Sequence, residues 1–295
     1  MRLCAILVLA CLVLSAPALA QAPYYQANMV AVHSHFTGTP GMVARFGDSI
    51  TYSGAFFKPL KYIPTNNITG ANGTAADKAA LTWFQGYVNN GCMSWQDDAV
   101  ALSNGNMSGK DSAWPMQVGD QFPGKTNIAG WLTKLNPEMA VIMWGTNDMS
   151  HSISVAQYKT NMQGVVQACI NNGTIPILTT IPPRVGYATY PNYVQAMRDL
   201  ATEMNVPLID YNADILARRP GTTWQNTIIS GDGVHPSGLG SQNFSATSLA
   251  NDGYLLRNYD TMNVMYGVYN NVMVPEPVSL SLLALGGLAL LRRRK

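Results

Sequence analysis

Hydrophobic positions along the chain fall into short, largely apolar runs separated by stretches of helical spacing. Met42–Phe46, Met139–Trp144 (MAVIMW), Ile175–Ile181 (IPILTTI) and Val206–Ile209 (VPLI) are the short runs. Runs that lack strict alternation read as strands covered on both faces. Ser154–Asn171 carries Val155, Tyr158, Met162, Val165, Val166 and Cys169 at helical spacing, and Tyr193–Met204 carries Val194, Met197, Leu200, Ala201 and Met204. A shorter helix is predicted over Asn127–Leu135, with Pro137 leading into the next strand. Strands alternating with helices predict an α/β domain built on a parallel sheet. From Pro59 to Pro115 the periodicity fades, which predicts long loops or an insertion.

The two ends have a different pattern. The first twenty residues, MRLCAILVLACLVLSAPALA, join a basic start, an apolar run and a small-x-small site at Ala18-Leu19-Ala20. This reads as a secretory signal peptide cut after Ala20, with an N-terminal membrane anchor as the alternative. The last stretch, VPEPVSLSLLALGGLALLRRRK, sets Pro-Glu-Pro before an apolar run from Val278 to Leu291 and four basic residues. The run is shorter than the roughly 18–20 residues of a comfortable transmembrane helix. This tail resembles a PEP-CTERM sorting signal of Gram-negative bacteria. The resemblance implies an exosortase-type processing enzyme, transient membrane association and delivery to the cell surface or outside. A plain C-terminal anchor is the alternative. The expected organisation is thus signal peptide 1–20, one domain 21–273 and sorting signal 274–295.

Removing the ends changes the charge picture. Five of the 18 basic residues (Arg2, Arg292, Arg293, Arg294 and Lys295) lie in them, leaving 13 against 16 acidic residues with Glu276 of the Pro-Glu-Pro motif kept. The slightly basic balance therefore belongs to the ends and gives no argument for nucleic-acid binding. Charged residues make up 12% of the chain, against about 25% in typical domains. Asn, Thr, Ser and Gly fill the polar positions, a neutral surface that fits an exported protein. Cys92 and Cys169 remain outside the signal segment, either as a disulfide or as two buried thiols. No Cys/His spacing suits zinc, and His33-Ser34-His35 reads as a solvated pair rather than a metal site.

In open parallel sheets, ligands bind beyond the carboxyl ends of the strands. The residues just after each apolar run are therefore the place to look for chemistry. After the first comes Gly47-Asp48-Ser49, and after MAVIMW comes Gly145-Thr146-Asn147-Asp148. Late in the chain, Ser230-Gly231-Asp232-Gly233-Val234-His235-Pro236 is expected to open the last helix, with Pro236 at its first position. A serine hydroxyl needs a base to become a nucleophile. His235 can supply that base, since imidazole titrates near neutral pH. Asp232, three residues earlier, can fix the imidazole tautomer. Asn147 offers an amide donor to a developing oxyanion. Each motif alone is common, and Gly-Asp-Ser before a helix is an ordinary cap.

Together, "FGDSIT", "GTND" and "DGVHPS" resemble blocks I, III and V of the SGNH (GDSL) hydrolase family, over about Val43 to Leu249. The resemblance implies a three-layer α/β/α sandwich with a flavodoxin-like parallel sheet of about five strands. It implies Ser49 as nucleophile, His235 as base and Asp232 as its partner. The Ser49 backbone N–H and the Asn147 side chain would form two parts of the oxyanion hole. For the third, the block II glycine, Gly124 is the first choice and Gly119 the rival. No metal or organic cofactor is implied. Asp48 is expected to organise its turn, Asp148 to anchor hydrogen bonds and His151 to line the pocket or lie exposed, while Arg184 is a lower-ranked candidate for contact with a polar substrate. The implied substrates are esters, with acetylated saccharides and short acyl chains first and lipase, arylesterase and thioesterase substrates as alternatives. A surface-displayed binding protein on a retired hydrolase fold is the reading from another class.

Overall fold

A computed structural model describes residues 22–88 and 104–274. Four parallel strands form one sheet in sequential order: β1 (Val43–Gly47), β2 (Met139–Met143), β3 (Ile175–Thr179) and β4 (Leu208–Ile209). Val43 pairs with Met139, and Met139 with Ile175, so the first three strands start level. Every residue of β1, β2 and β3 is buried, as strands covered on both faces require. The four predicted strands are all present, and each is shortened by one to two residues at one end or shifted by one. The family resemblance implies about five strands. At the free edge of β1 the described residues hold a single parallel bridge, Gly47 to Asn106.

The helices are α1 (Gln26–His33), α2 (Ser49–Tyr52), α3 (Ala75–Tyr87), α4 (Asn127–Leu135), α5 (Thr146–Ser150), α6 (Val155–Asn171), α7 (Tyr190–Glu203), α8 (Tyr211–Arg218), α9 (Ala246–Leu249) and α10 (Gly253–Val268). Right-handed crossovers between strands in sequential order must all run over one face. Accordingly α4 packs on α6, α6 on α7, and both α6 and α7 on β3. A second group, α10 with α3, α8 and β4, completes the sandwich. The Pro59–Pro115 stretch contains α3, which a Thr74–Asp77 capping box starts, and several 3₁₀ turns.

Two expectations need correction. Pro236 does not open a helix; it forms an antiparallel bridge with Ile229, and Ser230 N–H donates to the His235 carbonyl. The tight turn that this bridge closes leaves no room for a helical start. The last long helix begins instead at Gly253, where Asp252 accepts from Leu255 N–H. His33 is also not simply solvated, because its Nε2 lies 2.9 Å from Glu138. Among the described residues no helix is long and apolar enough to cross a membrane. Among the described residues Cys169 is buried and free, whereas Cys92 and residues 1–20 and 275–295 lie outside them.

The amino ends of the strands form a closed pole. Buried Glu138, just before β2, bonds His33, accepts from Gly41 N–H at 2.6 Å and from the Tyr87 hydroxyl at 2.9 Å. Helix α1 crosses the same pole: Asn28 donates to the carbonyl of Met204, and Gln26 to that of Asn271. Glu138→Ala would leave several buried donors unpaired and is expected to cost about 2–3 kcal/mol in urea unfolding. Lys159→Ala, which breaks the exposed pair with Glu203, is expected to cost under about 1 kcal/mol.

Candidate active site

The carboxyl end of β1 turns sharply into α2. A Cβ at Gly47 would lie 2.3 Å from Thr51 Oγ1 and 2.4 Å from the Met143 carbonyl, so only glycine fits there. Asp48 follows as the N-cap and accepts from Ile50 N–H at 3.0 Å. The cap is thus Asp48, and Ser49 occupies the first helical position with its hydroxyl free for another partner. That partner is His235: Ser49 Oγ lies 2.8 Å from His235 Nε2. On the other side of the ring, His235 Nδ1 lies 2.6 Å from Asp232 Oδ2.

The Asp232 loop is held by its own carboxylate. Oδ1 accepts from the N–H groups of Val234 and His235, each at 2.9 Å, and from the Ser230 hydroxyl at 2.8 Å. Partial burial works against the charge, but the hydrogen bonds from His235, Val234 and Ser230 outweigh it and hold Asp232 well below the usual carboxylate range. An ionised carboxylate only accepts, so Nδ1 carries the ring proton and Nε2 presents its lone pair to Ser49. The arrangement can therefore take a proton from Ser49 and keep the resulting imidazolium paired.

The loop after β2 supplies the next group. Asn147 Nδ2 donates to the Lys110 carbonyl at 3.0 Å and lies 3.4 Å from Asp48 Oδ2. Asp148, next in sequence, turns away and anchors the segment before it by accepting from the N–H and hydroxyl of Ser112. Arg184, on the loop after β3, donates to the Thr146 carbonyl and stacks 4.1 Å above Tyr187. Its neighbour Val185 donates to the Gly233 carbonyl, which ties that loop to the Asp232 turn. His151 is nearly half exposed and lies 2.6 Å from Asp111.

The structure brings together Ser49, His235, Asp232 and Asn147, and it leaves Gly124 out. Gly124 sits on an exposed turn closed on itself by the bond from Gly119 N–H to the Lys125 carbonyl. Gly119 belongs to the same turn. The segment lying along the end of β1 is instead 105–112: Gly47 donates to Gly105, and Met107 donates back to Gly47. Within it, Gly109 (φ +72°) immediately precedes Lys110, the residue bonded to Asn147. The only local signal for it is Ser108-Gly109-Lys110-Asp111, a Gly-containing turn inside the stretch without periodicity.

Residues 46–242 match the GDSL-like lipase/acylhydrolase family. The chain belongs to that family. Its parallel sheet with flanking helices is the SGNH hydrolase fold, an α/β/α sandwich. Solved structures of similar fold include the lipase/acylhydrolase from Enterococcus faecalis (18% identity, TM-score 0.44, covering 76% of this chain and 95% of that one). A second is a mutant of an acetyl-xylooligosaccharide esterase from Geobacillus (18% identity, TM-score 0.43, 76% and 96%). A third is the psychrotrophic esterase EstA from Pseudoalteromonas (14% identity, TM-score 0.42, 78% and 100%). No curated protein matches the chain. This GDSL-family site is built from three loops at the carboxyl ends of β1 and β2 and from the turn before Pro236.

Two carboxyls behind the site are strained electrostatically. Burial raises Asp48 to about 6, against the opposing pull of the Ile50 N–H, Arg257 and His235 and with a further push from Asp148. Burial also raises Asp148 to about 6, opposed by Ser112 and reinforced by Asp111. A carboxyl whose folded pKa is raised favours folding while protonated. That contribution is present below the unfolded value near 4 and is lost as pH rises to about 6. Asp48→Asn is therefore expected to gain stability relative to wild type as pH rises from 4 to 6, read from paired urea titrations. A constant difference across that window would refute it.

Proposed function

We propose that this GDSL-family hydrolase is a serine esterase that works through an acyl-enzyme. The observation that carries the reading is the unbroken chain from Ser49 Oγ to His235 Nε2 at 2.8 Å and from His235 Nδ1 to Asp232 at 2.6 Å. His235 takes the Ser49 proton as Oγ attacks the ester carbonyl carbon. The carbonyl π pair becomes the oxyanion. It accepts from the Ser49 N–H, from the Gly109 N–H and from Asn147 Nδ2, whose hydrogen turns from the long contact with Asp48. The bond to the leaving oxygen then breaks, and His235 returns its proton to that oxygen as the alcohol departs. Water attacks the acyl-enzyme with His235 again as base, and the acid and free Ser49 are released.

The substrates proposed are esters of small acids, first among them acetylated saccharides. The neutral polar surface and the order of motifs at the two ends support a protein that is exported and displayed at the cell surface or released. An exosortase-type enzyme would process the tail. Helix α1 and the segment ending at Val274 gather at the amino ends of the strands, away from Ser49. A tail leaving from Val274 would keep the site turned outward.

Ser49→Ala and His235→Ala are expected to abolish labelling by a fluorophosphonate and to cut hydrolysis of p-nitrophenyl acetate by at least about 10³-fold. Asn147→Ala should cost about 10²–10³ in kcat. Gly124→Ala should leave kcat unchanged, because its turn is outside the bonded network. Acetate release from acetylated xylan, beside a series of acyl-chain lengths, separates a saccharide esterase from a lipase. A Ser49→Ala protein with wild-type rates would end the reading.

A further inference from the structure

We propose that Arg257 is a positioning residue for Ser49, a role that rests on Ser49 being the nucleophile. Arg257 lies on α10, beyond the family-matched residues 46–242, and is fully buried. Its Nη1 donates to the Ile50 carbonyl at 2.7 Å, and its Nη2 to Thr51 Oγ1 at 2.9 Å. The guanidinium lies 3.7 Å above the Phe56 ring. All of these partners belong to α2 or to the segment immediately after it.

Helix α2 has only four residues, Ser49–Tyr52. A single turn has no stability of its own, because nucleation fixes several dihedrals for one hydrogen bond. The Ser49 carbonyl accepts from Ser53 N–H, and the carbonyls after it lie in the last turn, past the reach of helical donors. Arg257 gives the Ile50 carbonyl a donor and reaches Thr51, the side chain that would collide with any Cβ at Gly47. Two bonds in a fixed fork, plus stacking, set the azimuth of the turn in a way that one point charge cannot. Burial lowers Arg257 to about 10, so it stays cationic at neutral pH. Its charge also faces Asp48, the fully buried carboxylate that caps the same turn.

The rest of this face of α10 acts on the same segment. Asn258, beside Arg257, donates to the Ala55 carbonyl at 2.9 Å and accepts from Phe57 N–H at 2.8 Å. Phe57 sits at φ +67°, a conformation costly for a residue with a Cβ. Helix α10 therefore holds Ile50 to Phe57 in a shape that the segment would not keep alone. Because the hydroxyl of Ser49 must meet both His235 and the scissile carbonyl, a shift of α2 by a fraction of an ångström is felt in the rate.

The test compares wild type, Arg257→Met, Arg257→Lys and Thr51→Val in the full chain. Each is measured for kcat and KM on p-nitrophenyl acetate, for the second-order rate of fluorophosphonate labelling and for its thermal midpoint. Arg257→Met is expected to lower kcat and the labelling rate by about tenfold or more, with KM within about twofold. Arg257→Lys, which keeps the charge and loses the fork, should recover only part of the loss. Thr51→Val removes one acceptor at constant volume and should lower both rates about threefold, so it carries the test should Arg257→Met not fold. A folded Arg257→Met or Thr51→Val with wild-type kcat and labelling would overturn the proposal and leave the esterase reading intact. A wild-type protein that is not labelled at Ser49 would overturn both.

Discussion

A buried carboxylate organises the catalytic pole. Asp48 is fully enclosed, and an enclosed charge is tolerable only where neighbouring groups compensate for it. Ile50 N–H donates to it, Asn147 approaches it, and the Arg257 guanidinium sets its charge against it. Ile50 and Arg257 also hold the turn that carries Ser49, whose hydroxyl faces His235. The Ser49 turn, the Asn147 amide and the Arg257 guanidinium thus answer to one electrostatic requirement.

The sheet holds that concentration of groups in place. Parallel strands with apolar residues on both faces deliver the β1 and β2 loops to one pole at a fixed spacing. Elements distant in sequence then close the site: Arg257 reaches back to Ile50, and Asp148 holds Ser112. The opposite pole is built in the same way, with Glu138 gathering His33, Gly41 and Tyr87 under the strands. At both poles a buried acid joins segments that share no local sequence, so the strand ends stay rigid relative to each other.

The short apolar runs and the 3.6-residue spacing of α6 and α7 made the α/β architecture legible, because burial on a sheet or a helix face writes its own period into the chain. Gly47-Asp48-Ser49 and Asn147 were legible because each comes directly after an apolar run, and the Asp232–His235 offset because a three-residue spacing on a Gly-containing loop is local. The turn at Pro236 was misread since a proline suits a helix start and a bridge equally well, and the choice was made by Ile229 from across the turn. Gly124 and Gly109 do not differ locally; both have φ near +75°. The pairing of Gly47 with Gly105 and Met107 and the bond from Asn147 to the Lys110 carbonyl separate them.

Near neighbours along the chain fix the strands, helices α4, α6 and α7, the family resemblance and the three motifs with their order. The tertiary structure alone decided which glycine stands beside Asn147, what fills the space under Ser49 and which acid each buried donor finds. Such contacts join residues up to about 200 positions apart, as Ile50 and Arg257 are at a separation of 207. Their energy comes from mutual burial, which no single stretch of chain can specify.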